Sequence, residues 1–135
     1  MKYPDWQKRF WQVLESKREA TFAYGTHDCV LFAASMADAI SDADYMERAR
    51  EAFSWSNARE ALVLTHGKDL QSLIESVMGP MQRWQYMSMG DMVLICDEAD
   101  QKSLCVHDGC KLLGPDAVGF KEVPMRYAVG GWKVI

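Results

Sequence analysis

The sequence feature best suited to chemistry is a cysteine placed where a turn leads into a helix. The stretch from Tyr24 to Ala34 reads Tyr-Gly-Thr-His-Asp-Cys-Val-Leu-Phe-Ala-Ala. Gly25 predicts a tight turn, Asp28 suits the N-cap, and Cys29 then falls in the first helical turn. The helix dipole and the free N–H groups there favour a thiolate and suit an oxyanion. Cys29 is therefore a candidate nucleophile, although it also begins an apolar stripe and suits a small core residue.

A nucleophilic cysteine needs a general base, and the sequence contains three histidines. His27 lies in the turn two residues before Cys29, where a bond to the local backbone is the more ordinary role. His66 falls at a predicted helix C-terminus, where a cation is favoured on electrostatic grounds alone. His107 lies on a predicted strand, the right kind of element for a base, yet a turn follows it at once. The candidate bases are therefore weak, and we expect no histidine other than His27 near Cys29.

The turn after His107 permits a second interpretation, based on a metal ion. Asp108-Gly109 is typical of a two-residue hairpin loop. With that loop, His107 would face Cys110 on the returning strand. Cys105 lies two residues earlier on the same face, so Cys105, His107 and Cys110 could form a metal site. Cysteines also pack well as small core residues, so this is the weaker interpretation, and we expect no cofactor.

The elements that would position these residues divide the chain into two halves. Apolar positions recur at helical spacing up to Gly79-Pro80 and then form short β-type runs between Gly, Asp and Pro residues. Helices are predicted at about 6–17, 29–40, 42–53, 57–67 and 70–78, and strands at 92–96, 103–107, 110–113, 118–123 and 131–135. This order predicts an α+β fold in a single domain, 1–135, with a helical half, 1–79, and a β half, 90–135.

The composition excludes several classes of function. The chain has 15 Lys and Arg against 19 Asp and Glu among 135 residues, a formal net charge of -4. A broad basic surface for nucleic acid is therefore not expected. No run of about 18 apolar residues occurs, so no membrane span is predicted, and the N-terminus lacks the apolar core of a signal peptide. The four cysteines include no Cys-x-x-Cys pair and form no disulfide framework.

Several short motifs together resemble a known family. The block Phe22-Ala-Tyr-Gly-Thr-His-Asp-Cys29 opens a helix, Gly90-Asp-Met-Val-Leu94 begins the sheet, and a Gly-turn hairpin follows. This layout resembles the NlpC-type cell-wall cysteine peptidases, which are papain-like. It is more closely similar to a phage and prophage family of tail proteins related to them, whose pattern is matched by residues 27–34, 90–94, 114–116 and 131–135. The resemblance implies a papain-like fold with Cys29 in the nucleophile position.

The resemblance also implies that the catalytic site is incomplete. In the peptidases the catalytic histidine begins the strand that leads into the hairpin, which corresponds here to 101–103, where no histidine occurs. The third polar position falls near 113–116, where Asp116 is the ionisable residue. His107 lies at the opposite end of its strand from Gln101, a displacement of about 20 Å. A thiolate without a base and a proton donor is not expected to hydrolyse an amide.

The resulting expectation is a structural or binding component of a phage tail tip or baseplate. Such a protein is made in the host cytoplasm and carried in the virion tail. Its expected partners are other tail-tip or baseplate proteins, with peptidoglycan as a further candidate. The alternatives are an active cysteine peptidase that cuts peptidoglycan stem peptides and a cytoplasmic tail-assembly factor.

The segment between the two halves is a candidate partner surface. Residues 81–89 include three methionines, a tryptophan, a tyrosine and an arginine, with no clear helical or strand period. Interface cores favour this composition, and Arg83, Trp84 and Tyr86 are of the types that commonly carry binding energy. The alternative is a connector folded over its own core.

Overall fold

The computed structural model describes residues 2–23, 28–52 and 70–134. The helices of this part are α1 (Trp6–Ser16), α2 (Cys29–Ile40), α3 (Tyr45–Ala52) and α4 (Leu70–Met78). The strands are β1 (Met92–Cys96), β2 (Lys102–His107), β3 (Leu112–Pro115), β4 (Phe120–Val123) and β5 (Ala128–Trp132). The predicted α+β class, helices first and antiparallel strands after, is confirmed. The helix predicted at 57–67 lies outside the described residues. No helix in the described ranges has the length and apolar character needed to cross a membrane.

One antiparallel sheet contains the five described strands, in the order β4-β3-β2-β1-β5. β1 pairs on one side with β2, where Met92 lies opposite Val106, and on the other with β5, where Met92 lies opposite Trp132. The helices cover one face of this sheet, and the apolar side chains of that face, including Leu104 and Val106, share a core with α1, α2 and α4. Residues of β1 and β2 therefore form the centre of the fold.

The helix α2 packs across the centre of the sheet. It is apolar on nearly every side, and eight of its twelve residues are buried. The Asp28 carboxylate accepts a hydrogen bond from the Leu31 N–H at 2.9 Å, which is the N-cap that the sequence predicts. Near the other end, the Asp38 carboxylate accepts the N–H groups of Tyr45 and Met46. That contact explains why α3 begins at Tyr45 rather than at the predicted position 42.

Connecting segments cover the opposite face of the sheet, here called the far face. Two short 3-10 turns, Trp84–Tyr86 and Met125–Tyr127, lie along it. The buried residues of the far face are Met87, Val93, Ile95, Cys105 and Leu112, and Trp84, Val123, Met125, Tyr127 and Ala128 pack against them. The sheet therefore lies between a helical layer and a thin layer of connecting chain.

Four strands of the β half begin elsewhere than the sequence predicts: β2 one residue earlier and β3 two residues later, and the last two strands as follows. The strand predicted at 118–123 begins at Phe120, because the Gly119 N–H bonds the Ala20 carbonyl and holds the preceding residues in a loop. The strand predicted at 131–135 begins at Ala128 and ends at Trp132, since the Met125–Tyr127 turn ends directly before it.

Gly90 brings the start of β1 against the C-terminal end of α2. Its φ of +92° lies in the left-handed region, which strongly favours glycine. A Cβ atom at this position would fall 2.5 Å from Ile40 Cδ1. Both the turn and the close approach of the two segments therefore require a glycine here.

Asp91 is a buried charge that joins three segments of the chain. Its carboxylate is fully buried and accepts hydrogen bonds from the Ser88 N–H at 2.9 Å and the Val134 N–H at 3.0 Å. It also forms an ion pair with Lys133 Nζ at 2.6 Å, and Lys133 donates a further bond to the Tyr86 carbonyl. Because a buried carboxylate is costly unless it is paired, this network fixes the connector and the C-terminal residues on the sheet.

We expect Asp91→Ala to lower the free energy of unfolding by about 3 kcal/mol, measured by urea denaturation. The substitution leaves the Lys133 ammonium without its anion, and it leaves the buried Val134 N–H and the Ser88 N–H without their acceptor. Asp5→Ala is the matched control, because Asp5 pairs with Arg9 in a solvent-exposed position and its loss should change stability little. A loss for Asp91→Ala no larger than for Asp5→Ala would contradict this role.

Candidate functional site

Cys29 is the first residue of α2 and follows the Asp28 cap directly. The first turn of the helix lies against β2, where the main chain of Leu104 is close enough to the Cys29 thiol to affect its pKa. Cys29 also packs against the main hydrophobic core. The structure therefore places this side chain at the helix N-terminus and against the sheet, as the sequence predicts.

The protonation state of the Cys29 thiol is the opposite of the one that the sequence predicts. Burial raises the pKa of the Cys29 thiol from its ordinary value of 9.0 to about 11, and the negative charge of Asp28 adds to the rise. The N–H groups of Leu104, Val30 and Cys29 itself lower the pKa, but they do not offset the loss of water around the sulfur. The expectation of a lowered pKa was wrong, and the thiol is protonated at neutral pH.

A buried cysteine, Cys105 on β2, lies within electrostatic range of the partly buried Cys29. Cys105 belongs to the far face and is almost fully buried. Burial is the main cause that raises the pKa of its thiol to about 12, and the charge of an ionised Cys29 contributes to this rise. Two protonated thiols therefore occupy this part of the sheet.

His107 lies on the face of the sheet opposite α2. Side chains alternate along β2, so Leu104 and Val106 face the helices while Cys105 and His107 face away. His107 is also roughly 10 Å along the strand from Leu104, the residue of β2 whose main chain lies near the Cys29 thiol. Its Nδ1 accepts the Gly109 N–H at 2.9 Å, and burial lowers the pKa of its ring. His107 is therefore a turn residue and does not serve Cys29 as a base.

The remaining residues considered for the catalytic set are His27, His66 and Asp116. His27 and His66 lie outside the described residues. Asp116 Oδ1 accepts the N–H of Ala117 at 2.8 Å, and the Asp116 N–H bonds the Gly119 carbonyl. In the described structure, Asp116 thus shapes the turn between β3 and β4.

The hairpin after His107 has a different register from the predicted one. His107 pairs with Leu112 rather than with Cys110. The Asp108 carboxylate accepts the N–H groups of Cys110 and Lys111, which holds a four-residue loop and leaves Cys110 exposed in it. The predicted grouping of Cys105, His107 and Cys110 on one strand face was therefore wrong. Within the ranges that the structure describes, no three His, Cys, Asp or Glu side chains are placed to hold a metal ion.

The candidate partner surface, residues 81–89, is partly buried against the far face and partly exposed to solvent. Trp84 is partly buried and packs against the far face, and Met87 is buried in it. Tyr86 is 62% exposed, and the guanidinium of Arg83 lies 5.9 Å from the centre of its ring. The segment therefore both covers its own core and presents an exposed Arg83–Tyr86 pair.

Residues 1–134 match the family described as Domain of unknown function (DUF6950). The chain belongs to this family. No curated protein matches the sequence. The match covers the helical half, the connector and the β half, so Cys29, Asp91 and the Arg83–Tyr86 pair all lie within the DUF6950 domain.

Sequence reasoning missed two features of this DUF6950 domain. The first is the Asp91–Lys133 pair, for which the available signals were an acid directly before an apolar strand and a lysine within an apolar terminal run. The second is the closeness of Cys29 and Cys105, which no local pattern indicates because it depends on how α2 crosses β2.

We expect Cys29 to react slowly with iodoacetamide at pH 8, while the exposed Cys110 reacts first. A rise of two pKa units lowers the thiolate fraction of Cys29 about a hundredfold, and burial further limits access. Timed alkylation with peptide mapping by mass spectrometry measures each site separately. In denaturing urea the difference should disappear, and labelling of Cys29 as fast as Cys110 in the folded protein would refute this assignment.

Proposed function

We propose that the protein is a structural or binding component of a phage tail tip or baseplate. In this proposal it has an NlpC-type, papain-like fold whose catalytic site is incomplete. The supporting observation is the state of Cys29, which begins a buried helix against the sheet but has a protonated thiol. His107, the one histidine among the described residues, points away from it on the far face.

Amide hydrolysis makes demands that this site does not meet. The nucleophile must be deprotonated, and the leaving amine must receive a proton. With a pKa of about 11, roughly one Cys29 thiol in ten thousand is ionised at pH 7. The start of β2, where the resemblance implies a histidine, instead carries Lys102 and Ser103 after Gln101. A binding role therefore agrees better with these side chains than a peptidase role does.

The Arg83–Tyr86 pair is the surface that we assign to the tail partner. Tyr and Arg are enriched at interfaces and commonly contribute much of the binding energy. The main chain beneath the pair is held in place, because Trp84 packs on the far face and the Tyr86 carbonyl accepts a bond from Lys133. A partner would thus meet a preorganised surface and lose little conformational entropy on binding.

We expect the double variant Arg83→Ala/Tyr86→Ala to be lost from purified phage particles, as measured by quantitative mass spectrometry. Both side chains are exposed, so the melting temperature of the isolated domain should remain nearly unchanged. Tyr3→Ala/Arg9→Ala is the matched control, since it removes another Arg–Tyr contact, of 4.3 Å, away from the connector.

Two results would contradict this proposal. Normal incorporation of the Arg83→Ala/Tyr86→Ala variant would show that the partner binds elsewhere. Wild-type protein that is needed for tail formation but missing from finished particles would instead identify an assembly factor.

A further inference from the structure

An open groove of about 340 Å³ separates α1 from the β3–β4 hairpin. Its apolar lining comes from Leu14, Leu113 and Phe120. Its volume lies within the range of known small-molecule sites. None of its lining residues belongs to the Cys29 site or to the Arg83–Tyr86 surface, so it is a separate feature of the molecule.

Trp11 gives this groove a flat aromatic wall. The residue is 49% exposed, although tryptophan normally buries most of its surface. Its ring meets the ring of the fully buried Phe10 edge-on, with centroids 5.2 Å apart. The indole is therefore supported on the core side and accessible on the other. Such a ring offers a broad apolar surface together with an N–H donor.

The charged residues of the groove balance one another. On the α1 side, Arg18 Nε bonds Glu15 Oε2, and on the hairpin side, Lys111 Nζ bonds Glu122 Oε1, each at 2.5 Å. The complete charged lining contains three cations and three anions: Arg18, Lys111, Lys121, Glu15, Asp108 and Glu122. A charged ligand would meet a positive and a negative side chain on each side of the groove. The side chain of opposite charge to the ligand would already be paired with its neighbour. A neutral ligand that carries several hydroxyl groups would find donors and acceptors on both sides.

We propose that this groove binds a neutral oligosaccharide. One sugar ring lays its apolar C–H face on the Trp11 indole. Its hydroxyl groups bond the Glu15–Arg18 pair on one side and the Lys111–Glu122 pair on the other, with charge-assisted hydrogen bonds that are stronger than neutral ones. This site does not depend on the tail assignment, because the isolated protein contains every residue that it uses.

The test uses the purified full chain and three probes: the tetramers of N-acetylglucosamine, β-1,4-linked glucose and α-1,4-linked glucose. We expect at least one to bind with a millimolar or lower Kd by isothermal titration calorimetry and to change the tryptophan fluorescence. Trp11→Ala should weaken that binding at least about tenfold, and Glu122→Gln should weaken it too. Val129→Ala, which removes part of an exposed apolar side chain on β5, outside both proposed binding surfaces, should leave the affinity unchanged.

Three results would overturn the proposal. The first is no binding of any tetramer at millimolar concentration by the folded wild-type protein. The second is binding that Trp11→Ala and Glu122→Gln leave intact. The third is a loss of affinity in the Val129→Ala control as large as that in Trp11→Ala, which would show that the binding does not depend on the groove. These results are distinguishable from a failure of the tail proposal, which is measured on particles with the Arg83→Ala/Tyr86→Ala variant.

Discussion

The helix α2 is apolar on nearly every side, so it must be buried along its length, and this constraint decides the state of its first residue. Cys29 stands at a helix N-terminus, where the dipole and free N–H groups typically favour a negative charge by 0.3–1 kcal/mol. The net pKa shift of about two units disfavours the thiolate by roughly 3 kcal/mol. Removal of water by packing against β2 is therefore the larger effect, and the sulfur behaves as part of the core.

The two faces of the sheet carry different features of the molecule. The helical face of the sheet holds the protonated Cys29 thiol. The groove with Trp11 lies on that same side, between α1 and the β3–β4 hairpin. The far face is covered by the connector, which the buried Asp91 carboxylate holds through Ser88 and Lys133. The exposed Arg83–Tyr86 pair depends on this anchoring, because a loose connector would not present the two side chains in one arrangement.

Local signals in the sequence were sufficient to predict part of this structure. The α+β order followed from the change of apolar spacing near Gly79-Pro80, and the start of α2 followed from Asp28 as a cap for an apolar helix. Features that depend on competing or distant contacts could not be predicted in the same way. In the hairpin after His107, the Asp108 carboxylate captures two N–H groups and enlarges the loop, which shifts the register by two residues. The raised pKa of Cys29 depends on its burial against β2, which adjacent residues do not indicate.

Titration of Cys29 alone tests most directly whether this residue, placed like a nucleophile, is held as a neutral thiol. The protein is labelled with [13Cβ]cysteine, the Cys29 signal is assigned with the Cys29→Ala variant, and its NMR shift is followed as the pH is raised. We expect no appreciable ionisation of Cys29 below pH 9.0 and a midpoint of about 11. A midpoint below the ordinary thiol value of 9.0 would contradict it, because the helix N-terminus would then stabilise a thiolate.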